Sequence, residues 1–344
     1  MRIYLKRRYV FLFFFFLVWP VFLFASTPPW VENVMVWTIN GRFQKAEDFL
    51  RQKIARSDSA LAPCFYLASV LNSKMTFYEN QQDAPEFEHL LKYIIRKTDQ
   101  RIQQIPADDS LLVRLYFYRG SAYGYLAYFQ GQNGQWFSAL KNGLKAVNDL
   151  KKTVQLDSTF YEAYLGLGTY KYWRSTKLKM ALWLPFVSDQ REEGIRDIKR
   201  ALQSSSNSRY MALHQLVYIL TDYRKFDAAL HYAKEGVSVF PESQFLWWAY
   251  AHTYFMAHDY PNAAKTYGHL LQLIERDPDA NISHRLACLV RLAEIYRRMG
   301  QNQKAHQLAR RALQNKQIYP DTKRNRKRLA KAAEILKETE SQGK

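Results

Sequence analysis

Between Trp30 and Lys344 apolar residues recur at three- and four-residue spacing almost without a break, and no useful stretch alternates with the two-residue period of a half-buried strand. That spacing predicts helices throughout. Short turn signals interrupt it at Asn40-Gly41, Ile105-Pro106, Asp157-Ser158, Ser204 to Ser208, Pro241, Asp277-Pro278 and Gly300. The segments between them are short and arrive in twos, which predicts an all-α chain of paired helices. At the far end, Lys323 to Thr339 carries Leu329, Ala332, Ala333, Ile335 and Leu336 on one side and charge on the other. A closing amphipathic helix is expected there.

The pairs repeat. From Leu286 onward, Leu289, Leu292, Ala293, Tyr296, Gly300, Ala305, Ala309 and Ala312 fall at positions 4, 7, 8, 11, 15, 20, 24 and 27 of a unit. A unit opening at Tyr210 carries Leu213, Leu216, Val217, Leu220, Phe226, Ala229, Ala233, Gly236 and Pro241. The next opens at Gln244, 34 residues after Tyr210, with Trp247, Tyr250, Ala251, Tyr254, Tyr260, Ala263 and Tyr267. Ala163, Tyr164, Leu167 and Gly168 supply another first helix, whose partner near Arg191 to Leu202 arrives late, so 175–188 is an insertion. Toward the start, Gly41, Phe43 and Ala46 fit positions 15, 17 and 20 of a unit beginning near Thr27. Leu67, Ala68 and Leu71 belong to a unit closed by Pro106, and a lengthened unit runs from about Leu112 to Leu156.

This pattern resembles the tetratricopeptide repeat, over roughly residues 30 to 319. The resemblance implies an α-solenoid, a right-handed superhelix of five to seven helix pairs, seven by direct count. It places the repeat domain at 27–319 and a basic capping helix and tail at 320–344. Small residues at positions 8, 20 and 27 let helices approach closely, and large ones at 4, 7, 11 and 24 fill the space between. One such pair cannot bury its apolar face alone, so neighbours must stack.

Composition changes this picture at the ends. The chain has 344 residues, 50 Lys+Arg against 31 Asp+Glu, and a net charge of +19. Arg2, Lys6, Arg7 and Arg8 precede an apolar run from Val10 to Phe24 that ends at Ala25-Ser26. Residues 1–25 therefore read as a signal peptide or an uncleaved N-terminal anchor, and the rest is expected outside the cytoplasm, periplasmic or secreted. The leader holds +4, residues 304–344 hold +8 from 12 basic and 4 acidic side chains, and the body between holds only +7. Nucleic acid is accordingly not expected as a partner. Lys323, Arg324, Arg326, Lys327 and Arg328 form either a solvated outer face or an attachment to an acidic partner, such as an anionic membrane surface. Two cysteines, Cys64 and Cys288, exclude a disulfide scaffold or a four-cysteine zinc module and read as buried free thiols.

Candidate chemistry is sparse. No metalloprotease, calcium-loop, phosphate-loop, dinucleotide or nucleophile-elbow motif occurs. The eight histidines are scattered, and His252 and His258, six apart, are expected on different sides of a helix. Glu86, Glu88 and His89 read as a solvated flank, as does Arg191-Glu192-Glu193. Gly166-Leu167-Gly168 lies inside a helical pattern, where close helix packing explains Gly168 better than phosphate binding does. Neither a cofactor nor a metal is expected, and catalysis has no positive support.

By the resemblance, positions 2, 5, 9, 12 and 13 of each first helix line a concave groove. Mapped onto this chain they include Phe117, Tyr125, Tyr172, Trp173, His214, Tyr218, Phe245, Trp248, His252 and Phe255. Aromatics there suit recognition of a peptide or sugar. If the groove is tight, or filled by the LWLPF of the insertion, they are core residues instead. A clamp for a peptide carboxylate is not expected, because only Arg297 and Arg298, beside Glu294, come close to the required pattern. The leading expectation is a non-catalytic scaffold that binds a protein or peptide. The alternatives are a membrane-anchored assembly factor, and a glycan-binding protein or enzyme using Glu162 or Asp222 near the groove.

Overall fold

All but one of the helix pairs turn back on themselves through the same backbone device. A computed structural model describes residues 28–56, 60–106, 109–177, 188–204 and 209–340. The expected leader and most of the expected insertion lie outside them. Among the described residues there are fifteen α-helices and no strand. They are α1 (Trp30–Ile39), α2 (Phe43–Ala55), α3 (Leu61–Tyr78), α4 (Ala84–Gln104), α5 (Leu111–Gln132), α6 (Trp136–Leu156), α7 (Glu162–Lys177) and α8 (Arg191–Ala201). The remainder are α9 (Arg209–Asp222), α10 (Phe226–Val239), α11 (Gln244–Met256), α12 (Tyr260–Arg276), α13 (Ile282–Arg298), α14 (Asn302–Gln314) and α15 (Lys323–Glu340). Successive helices pack as seven consecutive pairs with α15 as the cap, as the sequence pattern predicts.

In six of the seven pairs the turn holds one residue in the left-handed region: Gly41, Glu79, Gly134, Arg224, His258 or Gly300, with φ between 53° and 76°. The amide after it donates back to the carbonyl five residues earlier, as Arg42 does to Trp37 (2.8 Å), Lys225 to Leu220 (2.8 Å), Asp259 to Tyr254 (3.0 Å) and Gln301 to Tyr296 (2.9 Å). These are Schellman ends, which satisfy the last carbonyls of one helix and aim the chain into the next. His258 thus sits in a turn, not on a helix as expected. The exception is the pair α7–α8, where the insertion intervenes. Its two ends are tied together by the Gln190 amide, which donates to Ser175 Oγ at 2.9 Å.

Pair α7–α8 packs backbone against backbone. A Cβ on Gly168 would stand 2.5 Å from the Gly194 carbonyl oxygen, and one on Gly194 would stand 2.6 Å from that of Gly168. Both glycines are required by this approach. The cap α15 buries Ala332 and Ile335 against the last pair, and its Asn325 donates to Ser283 Oγ (2.8 Å) and the Pro320 carbonyl (3.0 Å).

The solenoid is not open-ended, because its beginning touches its end. Ile39, at the foot of α1, is buried with Leu213, Val217, Leu246 and Ala249 of α9 and α11. Ser243 Oγ donates to the Ile39 carbonyl at 2.6 Å. The foot of α3 does the same one pair further on. Asn281 Nδ2 donates to the Phe77 carbonyl (2.9 Å), and the Phe77 ring lies 4.7 Å from His284, edge to face. Arg328 holds Glu79 with two hydrogen bonds of 2.8 and 2.7 Å. Although the path curves back, Cys64 and Cys288 are buried free thiols as expected, and burial pushes the Cys64 thiol up to about 11.

Candidate binding cavity

The curvature encloses a cavity of about 550 Å³ between the foot of α3 and the inner sides of α9, α11, α13 and α15. Helix spacing puts His214, Tyr218, Phe245 and Trp248 on its floor. His214 stacks on Phe245 with ring centres 3.6 Å apart and planes 19° from parallel. Tyr218 lies 4.9 Å from His214, and Trp248 meets Tyr267 and His284 edge to face at 5.7 and 5.5 Å. Burial depresses the His214 imidazole to about 3 and the His284 imidazole to about 4. Both rings are therefore neutral at pH 7 and act as flat aromatic surface, not as cations.

Positive charge comes from the rim instead. Arg291 on α13 and Arg324, Lys327, Arg328 and Lys331 on α15 face two carboxylates, Glu79 and Glu294. Burial pushes the Glu79 carboxyl up, but the hydrogen bonds and charge of Arg328, with Arg324, outweigh it and hold it below the usual carboxylate range. Arg291 pairs with Glu294 at 2.7 Å, and Lys331 with Glu334 at 2.6 Å. Lys327 has no ion-pair partner among the described residues. Two ring nitrogens of lining residues, Trp248 Nε1 and His284 Nδ1, are buried without a hydrogen-bond partner among the described residues. Buried polar atoms are seldom left so, at a cost of about 1–3 kcal/mol each.

The ten aromatic positions expected in one groove separate in the structure. Four line the cavity just described. Trp173 and His252 line a second space of about 390 Å³ with Tyr128, Gln215 and Met256, and Tyr218 borders both. Phe255 lies beneath Arg291 and Arg298, 4.2 and 5.5 Å from their guanidinium carbons. The other three are packing residues. Phe117 fits between Phe65 and Phe160 at 5.5 and 4.8 Å, and Tyr125 packs in the same core with its hydroxyl 3.0 Å from Ser69. Tyr172 is fully buried and donates to Asp222 at 2.5 Å. Asp222 and Glu162, the carboxylates considered for chemistry, are thus both engaged, the latter accepting from Ser204 at 2.8 Å. The solvated flank at Glu86 and Glu88 consists of ion pairs with Arg51 and Lys92.

Of the five basic residues on α15, Arg324 and Arg328 turn to Glu79, Arg326 pairs with Asp321 at 2.7 Å, Lys327 reaches the cavity rim and Lys323 is exposed. Sequence spacing does not signal Phe77, Glu79 or His284. Phe77 and Glu79 arrive from the other end of the chain, and His284 faces the cavity only because they do. Among the described residues no three His, Cys, Asp or Glu side chains gather as a metal site, and no helix is long and apolar enough to cross a membrane.

Seven stacked pairs with a capping helix define an α-solenoid of helical repeats. Residues 243–317, the sixth and seventh pairs, match the tetratricopeptide repeat family model. Similar solved structures include PilF of Pseudomonas aeruginosa, at 15% identity and a TM-score of 0.41, covering 65% of this chain and 87% of that one. A tetratricopeptide repeat protein from Parabacteroides merdae ATCC 43184 is similar at 14% identity and 0.42, covering 88% and 97%. A Rap protein in complex with competence and sporulation factor is similar at 11% identity and 0.46, covering 89% and 77%. No curated protein sequence matches the chain significantly.

Proposed function

We propose that the protein is a non-catalytic scaffold that holds a partner protein by an extended segment seated in the 550 Å³ cavity. The observation that carries this reading is the pairing of an aromatic floor with a cationic rim on one concave surface. Flat, rigid rings offer large contact area with little side-chain entropy to lose. Five cations against two carboxylates favour a segment that places an apolar or aromatic side chain on the floor and acidic residues at the rim. The basic head and apolar run of residues 1–25 support a site of action outside the cytoplasm.

Panning the full chain against a random peptide display library tests the reading. Enriched peptides are expected to combine an aromatic or long aliphatic residue with Asp or Glu. Their binding should weaken at least tenfold in Phe245→Ala and in the rim reversal Lys327→Glu/Lys331→Glu. Peptides that bind equally well to all three proteins would place the partner surface elsewhere.

A further inference from the structure

Helix α6 presents three faces where a packed helix of a repeat needs two. Ala146, Leu150 and Thr153 are buried against neighbouring helices. Trp136, Phe137, Leu140 and Leu144 point elsewhere and are 64%, 84%, 59% and 49% exposed. At 3.6 residues per turn these four fall within one arc of about 100°, over roughly 12 Å of helix. The adjoining arc holds Lys141, Lys145 and Asn148, all exposed. No acidic residue occurs from Trp136 to Asn148, and the first one, Asp149, is buried beneath Arg119 at 2.7 Å. A third cation, Lys177 of α7, lies with its Nζ 5.3 Å from the Trp136 ring.

We propose that this outer face of α6 seats the protein on an anionic lipid surface. The apolar arc enters the boundary between headgroups and acyl chains, and Lys141, Lys145 and Lys177 meet the lipid phosphates. An apolar face bordered by lysines is the pattern that lies in a membrane interface, and tryptophan is at home at that depth. Two features favour lipid over a protein partner. The exposed apolar area is on the order of 500 Å², judged from typical aromatic and aliphatic side-chain areas, short of the ~800 Å² per partner of a stable protein interface. A second copy would also bring like-charged lysines together, whereas an anionic surface neutralises them. The proposal is independent of the basic residues on α15, which are partly engaged by Glu79, and of the peptide cavity on the inner surface.

The test uses the full chain carrying Leu140→Cys labelled with a polarity-sensitive dye; Cys64 and Cys288 are buried, so labelling is selective. Because the apolar run from Val10 to Phe24 can itself partition into lipid, the readout is the dye at position 140 and not total binding. A blue shift is expected on vesicles rich in phosphatidylglycerol at low salt, with little change on pure phosphatidylcholine. A dye at Arg310→Cys, exposed on α14, should stay silent. Adding Phe137→Glu, at a position too exposed to matter for folding, should cut the response roughly tenfold. A silent dye at position 140 on anionic vesicles overturns the proposal. So does a concentration-dependent shift without lipid, accompanied by a dimer in sedimentation that Phe137→Glu dissolves, because a second copy then covers the face.

Discussion

The fourth helix pair and the junction between the chain's two ends both bring helices together, and they do it by opposite means. At α7–α8 nothing but backbone separates the axes, since Gly168 and Gly194 meet carbonyl to Cα. At the junction, side chains from distant parts of the chain reach across: Ser243 to Ile39, Asn281 to Phe77, Arg328 to Glu79. The first contact joins residues 26 positions apart, the second residues up to 249 apart. Close approach between neighbours in a repeat is a matter of residue size, whereas closing a superhelix needs directional polar groups that fix one register out of many.

The two should therefore fail differently. Gly168→Ala is expected to have the largest effect, because its Cβ meets the Gly194 oxygen at 2.5 Å and the Ile198 nitrogen at 2.9 Å, and backbone atoms cannot step aside. Overpacking of this kind costs about 3 kcal/mol. Urea denaturation should show the loss as a lowered midpoint with an unchanged slope. A cost below about 1 kcal/mol would mean that α7 and α8 slide apart freely and that their apposition is not the constraint inferred here.

Arg328→Ala comes next. It strands the Glu79 carboxylate, whose side chain is only 14% exposed, with the more distant and more exposed Arg324 at 3.3 Å. Loss of a fully buried pair costs about 3–5 kcal/mol, and a half-buried one with a second cation nearby about 2 kcal/mol. Amide exchange should rise at the foot of α3 and the start of α15 while α7–α8 stays protected. Glu79→Gln in the same background should recover part of the loss, since it removes the stranded charge. Uniform exchange across all pairs would instead show that the junction carries no separate cooperative unit.

The contrast also marks how far the sequence could be read. Helix pairs, their number and the capping helix follow from spacing, because each depends on residues within one or two repeat lengths. Gly41 and Gly300 were legible as turn residues, and His214, Tyr218, Phe245 and Trp248 as inward-facing aromatics, for the same reason. Phe77 and Glu79 were not. Periodicity says that each pair packs on the next; it does not say how much each rotates. That rotation accumulates from the second pair to the seventh, two of them lengthened and one interrupted, before α3 meets α13 and α15. Tyr125 and Tyr172 were misplaced by a related gap: a groove position lines open space only where the local curvature leaves some. The left-handed turns at Arg224 and His258 were hidden because neither residue type announces that conformation.

Those turns sharpen the comparison at its smallest scale, since they carry neither tight backbone contact nor a long-range partner. Gly41, Gly134 and Gly300 occupy the left-handed position freely, but at His258 a φ of 61° forces a Cβ toward a carbonyl. Such strain costs about 1–2 kcal/mol, and a glycine returns part of that through the greater freedom of its unfolded chain. His258 Nδ1 also lies 2.9 Å from the Tyr260 hydroxyl, an exposed contact worth well under 1 kcal/mol that the substitution removes. His258→Gly is thus expected to stabilise by about 0.5 kcal/mol, read as a small rise in the urea midpoint. Destabilisation would show that the Tyr260 contact outweighs the strain, and that this turn, like the junction, is held by a side chain and not by backbone geometry.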